Sequence, residues 1–333
     1  MLLSVIIPYY NRNAFIGRML DSLLDQDIAP EEYEIIVVDD GSEEDPVALK
    51  EYIRRYPQIS YHRIDHAGLS PARNFGLSMA SGDWIYFCDS DDFIQSQVLG
   101  NIIKVAEDRQ LEMISVRVNH IKPSDQLLPP VINFSMVSET IKGIEYIDNP
   151  QIPFSWGVFA YLLRRSVIES NNLSFRSIFY VEDRQFLLEL LPCVSRFANI
   201  DVDLYYYVQN EDSILHSRKK HDRTEFAPAL MTYIEGLSTF IQNPSIPQRI
   251  KEYLHINERI RWSYSLLTHV FRYYPVKTTI DAINSLQEMS IYPLDDTCKK
   301  ISSRRIKLVN NKNIFIFLCR LYHLVPAKVR MKL

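Results

Sequence analysis

The sequence predicts an α/β fold, a mostly parallel central sheet flanked by helices, followed by a mainly α-helical C-terminal region. Three observations carry this expectation. Short apolar runs rich in β-branched or aromatic residues recur at Leu2–Pro8, Glu34–Val38 and Trp84–Cys88, as in strands covered on both faces. Segments of helical period separate them, joined by short connections, which favours right-handed β-α-β crossovers. Beyond Arg223 the extended patterns stop, and 229–241, 248–271 and 278–289 read as helices.

Taken in order, the first run ends at Pro8 and is followed by Phe15, Ile16, Met19, Leu20, Leu23 and Leu24, spaced as one helix face, with Asn11 or Asn13 available as its cap. The second run ends in Asp39 and Asp40, before Gly41 and Ser42. A helix over 47–56 and a strand over 59–64 come next. Ser70 and Pro71 suit the cap and first turn of another helix, which runs to about Ala80 and feeds the Trp84–Cys88 strand. A helix over 95–109 and a strand over 112–118 complete the alternation. Further on, 138–147, 161–170 and 185–191 read as helices and Leu204–Val208 as a strand. The expected division is 1–115 and 116–222 as two halves of one domain, then 223–333 as a helical extension.

Composition narrows the function. At 333 residues the chain can bury a sizeable core. Its four cysteines show no paired spacing, which argues against a zinc site or disulfide scaffold and for a reducing compartment. The N-terminus lacks a basic leader pattern, and no stretch reaches the roughly 20 apolar residues of a membrane span. A cytoplasmic protein is expected. Nine glycines leave no Gly-rich phosphate loop. The net charge of −4 hides an asymmetry: residues 1–110 hold 9 Lys and Arg against 19 Asp and Glu, whereas from Lys299 onward there are ten Lys and Arg and no acid. An acidic front of this kind speaks against nucleic-acid binding.

The chemistry concentrates where the strands end. Asp89, Asp91 and Asp92 follow the Trp84–Cys88 strand, three carboxylates in four residues. Like charges so close raise one another's pKa unless a cation or donor groups stand among them. A hard divalent cation, Mg²⁺ or Mn²⁺, shared with nucleotide phosphates suits them; a solvated acidic loop is the bland reading. Residues 9–11, 39–42 and 89–92 all fall at carboxyl ends of strands, the edge where ligands of open parallel sheets bind.

These stretches resemble family 2 glycosyltransferases, inverting enzymes of the GT-A fold that use nucleotide-diphospho-sugars. The matching segments are 4–11, 35–42, Gly68–Asn74, Gly82–Asp92 and Glu182–Asp183, in the family's order. The resemblance implies that Pro8, Tyr10 and Asp40 line the nucleotide-base pocket, with Asp40 accepting the N3–H of a uracil. It places Arg73 near the pyrophosphate, Asn74 fixing its loop, and Asp89 and Ser90 beside the nucleotide. Asp91 is then the direct metal ligand and Asp89 a contact to the ribose or the metal. Asp183 takes the position of the general base that deprotonates the acceptor hydroxyl. Glu182, Asp92 and Trp156 are candidate acceptor contacts, Trp156 through stacking on a sugar face or, equally, as a core residue. His216 is a further candidate near the pyrophosphate.

The implied activity is transfer of a sugar, UDP-linked, to a hydroxyl of a saccharide or lipid-linked glycan, with bacterial surface polysaccharide synthesis as the setting. A degenerate nucleotide-sugar-binding subunit is the rival; a nucleotidyltransferase would need the absent Gly-rich loop. No QxxRW motif occurs, so single addition is expected. Residues 314–325 are apolar and flanked by Lys299, Lys300, Arg304, Arg305, Lys307 and Lys312 before and Lys328, Arg330 and Lys332 after. This suits peripheral contact with an anionic membrane face, or a terminal helix packed on the protein.

Overall fold

The computed structural model describes the chain except residues 153, 179, 210–224, 299 and 326–333. Among the described residues the chain divides into two compact units, Met1–Ser177 with Glu182–Ser213, and Ile178–Val181 with Ile214–Leu333.

The first unit is built on a nine-stranded sheet. Strands β1 (Leu3–Tyr9), β2 (Tyr33–Asp39), β3 (Ile59–Arg63) and β4 (Trp84–Phe87) are mutually parallel, in the order β3-β2-β1-β4. Helices α1 (Ile16–Leu24), α2 (Val47–Arg55) and α3 (Leu69–Met79) connect them. Period-2 alternation divides each strand between two covered faces. Val5, Ile7, Ile35 and Val37 join Ile16, Met19, Leu20 and Leu23 of α1 in the large core, while Ile36 and Val38 pack with Ala72 of α3 on the opposite side. All seven residues of β1 are buried, as its unbroken apolar run predicts.

The sheet continues through strands that departed from the sequence pattern. Residues 161–164, read as the start of a helix, form β8 (Tyr161–Arg164), inserted antiparallel between β4 and β6 (Met113–Ile121). The helix there begins only at Arg165, as α6 (Arg165–Ser170). A four-residue apolar stretch carries no period, and pairing on both edges decided it. Strand β9 (Phe197–Val208) is far longer than the expected five residues and runs parallel to β6. It also pairs with β5 (Phe93–Ile94) and β7 (Ile132–Val137), both too short or too polar to be seen in the sequence. Where a helix over 138–147 was expected, only α5 (Gly143–Tyr146) forms; α4 (Leu99–Asp108) and α7 (Glu182–Leu190) lie close to their expected places.

Two caps also differ. Neither Asn11 nor Asn13 caps α1; Asn11, at φ +49°, accepts the backbone N–H groups of Glu43 and Glu44 and ties the β1 end to the β2 end. Helix α3 starts from Gly68 at φ +97°, and the Ser70 hydroxyl donates to the Arg176 carbonyl instead.

The second unit is helical: α8 (Phe226–Gln242), α9 (Gln248–Leu254), a π-helical stretch His255–Ile260, α10 (Arg261–Tyr273), α11 (Val276–Glu288), α12 (Ser303–Asn310) and α13 (Lys312–Leu324). No helix among the described residues is long and apolar enough to cross a membrane. The four cysteines are free thiols.

Gly82, just before β4, lies against β1. A Cβ there would stand 2.4 Å from the Ser4 backbone nitrogen and 2.5 Å from the Leu3 carbonyl carbon, leaving no flexible neighbour to yield. Gly82→Ala is therefore expected to destabilise by about 1–3 kcal/mol through overpacking. The check is the urea midpoint, which should fall without a change in spectroscopic slope.

Candidate active site

Because β1, β2 and β4 run parallel, their carboxyl ends open on one edge, and the expected polar residues gather there. Pro8 is buried at the end of β1 opposite Val38, and Tyr10 emerges beyond it. The two acids that end β2 are both buried. Asp39 is structural: Ser42 N–H and the Tyr61 hydroxyl donate to its two oxygens. Asp40 is held by the 66–68 loop. Ala67 N–H donates to Oδ1 at 2.7 Å and Gly68 N–H to Oδ2 at 2.9 Å, while His66 Nδ1 lies 2.9 Å from Oδ2. The His66 ring also stacks on Tyr10, centroids 4.5 Å apart.

The other end of the edge is organised by Arg73. It projects from α3, is 2% exposed, and lies over the Phe175 ring. One terminal nitrogen donates to Asp89 Oδ1 at 3.1 Å and the other to Asp183 Oδ1. The expectation placed Arg73 near a pyrophosphate; in the structure both terminal nitrogens are committed to carboxylates, since a guanidinium so buried needs them. Only its Nε is buried without a partner. Asn74 does fix a neighbouring loop, exchanging hydrogen bonds with the Phe175 backbone.

Asp183 stands in the first turn of α7, next to the buried Glu182. The Val158 N–H donates to its second oxygen at 3.2 Å. Burial lifts the Asp183 carboxyl above the ordinary carboxylate value; Arg73 opposes this and the charge of Asp89 adds to it. Trp156, half-buried nearby in sequence, has the Arg184 guanidinium 4.9 Å from its ring centroid and Phe154 edge-on.

The three acids after β4 have different surroundings. Asp89 and Asp91 are partly exposed, with side-chain accessibilities of 28% and 20%. Burial and then the Asp89 charge raise the Asp91 carboxyl, against the pull of Arg12, whose Nε is 3.7 Å away. Asp92 departs from its expected place beside an acceptor. It is buried, the Tyr205 hydroxyl donates to Oδ2 at 2.6 Å, and Val208 N–H donates to Oδ1 at 2.7 Å. Burial foremost pushes its carboxyl up to about 8. The same Tyr205 hydroxyl accepts the Asp89 N–H at 3.0 Å, so β9 fixes the loop at two points. Ser90 is buried within that loop.

Sequence reasoning missed Tyr205, Arg12 and Arg18. Arg18 donates to the Asp91 carbonyl at 2.5 Å and lies over Phe93. None of the three stands in a recognisable motif. His216 lies outside the described residues.

Among the described residues no three His, Cys, Asp or Glu side chains form a ready-made metal cage. The partly exposed, mutually repelling pair Asp89 and Asp91 nonetheless fits a hard divalent cation that takes one or two carboxylates and completes its shell with substrate phosphates.

The sequence model of glycosyl transferase family 2 matches residues 4–170. The chain belongs to that family. It is 33% identical over 218 residues to the uncharacterized glycosyltransferase EpsJ of Bacillus subtilis strain 168, a match covering 64% of this chain and 62% of EpsJ. It is 24% identical over 215 residues to the poly(ribitol-phosphate) β-N-acetylglucosaminyltransferase TarS of Staphylococcus aureus, covering 64% of this chain but 36% of TarS. The match therefore spans less than two thirds of either relative. Residues 1–349 of TarS, solved in complex with UDP-GlcNAc, share the GT-A fold: TM-score 0.68 at 18% identity, covering 97% of this chain and 92% of that one.

Arg73→Met leaves Asp89 and Asp183 as uncompensated acids. It is expected to lower stability by about 3–5 kcal/mol. Asp91→Asn, which removes a repelled charge, should leave the urea midpoint unchanged or raised.

Proposed function

We propose that this chain is an inverting glycosyltransferase that moves a sugar from a UDP-linked donor to a hydroxyl of a saccharide or lipid-linked glycan, in the synthesis of a bacterial surface polysaccharide. One observation supports this reading above the others. A single buried guanidinium joins Asp183, the acid at the family's base position, to Asp89 of the strand-end acidic loop, so base and donor loop are fixed relative to each other. TarS, a relative named for its action on poly(ribitol-phosphate), has been solved with UDP and with UDP-GlcNAc, which favours a uridine donor and a cell-surface glycan acceptor.

In this reading Tyr10 and Asp40 hold the base, with Pro8 as the pocket wall, and Asp91 with Asp89 hold Mg²⁺ or Mn²⁺ against the diphosphate. The cation, when bound, supplies Lewis-acid neutralisation of the charge left on the departing nucleoside diphosphate. Asp183 Oδ2 accepts the proton of the attacking hydroxyl, an economical route to single in-line displacement. Arg73 keeps that carboxylate aimed and ionised. Glu182 and Trp156 border the acceptor, and Asp92 shapes the loop from beneath.

Asp183→Asn should lower kcat by about 10²–10⁴-fold while UDP still raises the melting temperature. Because burial raises the Asp183 carboxyl, it stays protonated to higher pH than an ordinary carboxylate. The acid limb of kcat/KM should accordingly lie above about pH 4, with activity lost as pH falls through it. A UDP shift that needs Mn²⁺ and vanishes in Asp91→Ala supports the cation assignment. Retained activity in Asp183→Asn overturns the base.

Attachment to an anionic membrane face is part of the same proposal. Helix α13 buries Phe315 and Cys319 and exposes Ile314, Phe317, Leu321 and Leu324, spaced as one stripe. Exposed Arg304, Arg305, Lys307 and Arg320 accompany it, and juxtamembrane cations contribute on the order of 1 kcal/mol each. The protein should float with phosphatidylglycerol-containing vesicles and not with pure phosphatidylcholine. Phe317→Asp with Leu321→Asp should abolish flotation without touching activity on a soluble acceptor; flotation unaffected by that pair removes the stripe as the contact.

A further inference from the structure

His66 occupies the place that the donor's base needs. Its ring stacks on Tyr10, centroids 4.5 Å apart and planes 26° from parallel. Its Nδ1 lies 2.9 Å from Asp40 Oδ2 and 2.9 Å from the Asp40 carbonyl oxygen. Both neighbours only accept, so Nδ1 carries the hydrogen and donates. A flat ring, stacked on Tyr10 and presenting an N–H to Asp40, stands where the proposed base pocket would place uracil, against Tyr10 with its N3–H toward Asp40.

The Asp40 carboxylate has little left to give. Ala67 N–H and Gly68 N–H fill Oδ1, and Gly68 N–H together with His66 fill Oδ2. The backbone donors belong to a loop packed on Gly41, where even a Cβ would lie 2.8 Å from the His66 backbone nitrogen. The imidazole is different: its side chain is 59% exposed and can turn out into solvent. Of the three donors it is the one that can leave.

We infer that His66 is a built-in competitor for the nucleobase: in the free protein its imidazole fills the stacking and hydrogen-bonding place between Tyr10 and Asp40, and a uracil base displaces it. This rests on the base-pocket reading of Tyr10 and Asp40. The thermodynamic consequence is specific. The apparent dissociation constant is the intrinsic one divided by the fraction of molecules with His66 swung out. Every base that must displace the ring suffers the same penalty, so His66 weakens uridine and cytidine nucleotides by one common factor. Discrimination between them is left to Asp40, to which uracil offers an N–H and cytosine N3 does not. His66 keeps Asp40 satisfied when no donor is bound and eases release of the nucleoside diphosphate.

The test is calorimetric titration of wild type and His66→Ala with UDP, CDP and uridine. Tightening of UDP and uridine by several-fold to about tenfold, with the UDP-to-CDP ratio unchanged, is the expected result. Weaker or unchanged UDP binding overturns the inference, because His66 is then a wall of the pocket or a bystander. A second readout uses the wild-type chain with histidine labelled at Cε1. The His66 resonance, shifted upfield by the Tyr10 ring, should move downfield when UDP is added; a resonance that stays upfield at saturation overturns displacement. Tyr10→Ala and Asp40→Asn separate the two readings. UDP binding indifferent to both removes the base pocket itself, whereas binding lost in both but weakened in His66→Ala removes only the competitor.

Discussion

The Arg73 guanidinium is the constraint on which the catalytic unit depends. It enters from α3, between β3 and β4 in the chain, and ties the loop after β4 to the first turn of α7, whose Asp183 lies 110 residues beyond Arg73 in the sequence. Buried ion pairs stabilise little relative to an apolar packing of equal volume, because desolvation offsets the attraction; losing one partner is what costs. A pair of this kind is therefore better understood as fixing geometry. Here it fixes the distance between the acid proposed to take the proton and the acid proposed to face the donor, and neither can shift without unbalancing the other.

Around that contact the carboxylates sort into two kinds. Asp39, Asp40 and Asp92 are buried and take donors on both oxygens, from Ser42 and Tyr61, from the 66–68 loop, and from Tyr205 and Val208. Asp89 and Asp91 keep part of their surface open, and Asp183 sits at the join. In the sequence all six are simply acids at strand or helix ends. The sorting is done by the distant partners that meet each carboxylate.

Much of the first unit was legible for that reason. The apolar runs of β1, β2 and β4 are buried on both faces, so their pattern has no competitor, and the acids that end them could be placed on one edge before any contact was known. Legibility failed where pairing partners decide the conformation. Residues 161–164 became a strand because β4 and β6 offered two edges, and β9 extended because β6, β5 and β7 all pair with it. At the site, Asp183 and Arg73 stood in motifs, but their contact did not, and Tyr205 had no motif to announce it. Its role depends on a hydroxyl arriving from β9 beneath a loop 113 residues earlier.

The two ends of the proposed donor site answer to different physics. At the base end every charge is already satisfied: Asp40 has its loop donors and His66, and Tyr10 has a ring against it. A ligand there must exchange like for like, so affinity depends on the difference between two similar sets of contacts. At the reaction end Asp89, Asp91 and Asp183, with the buried Glu182 beside them, are met among the described residues by the guanidinium groups of Arg73, Arg12 and Arg18. The proposed divalent cation would screen a diphosphate from Asp89 and Asp91. In the proposed reading the base is recognised weakly and exchangeably and the cation-bearing diphosphate supplies the driving force, a division that suits a transferase whose spent nucleotide must leave after every transfer.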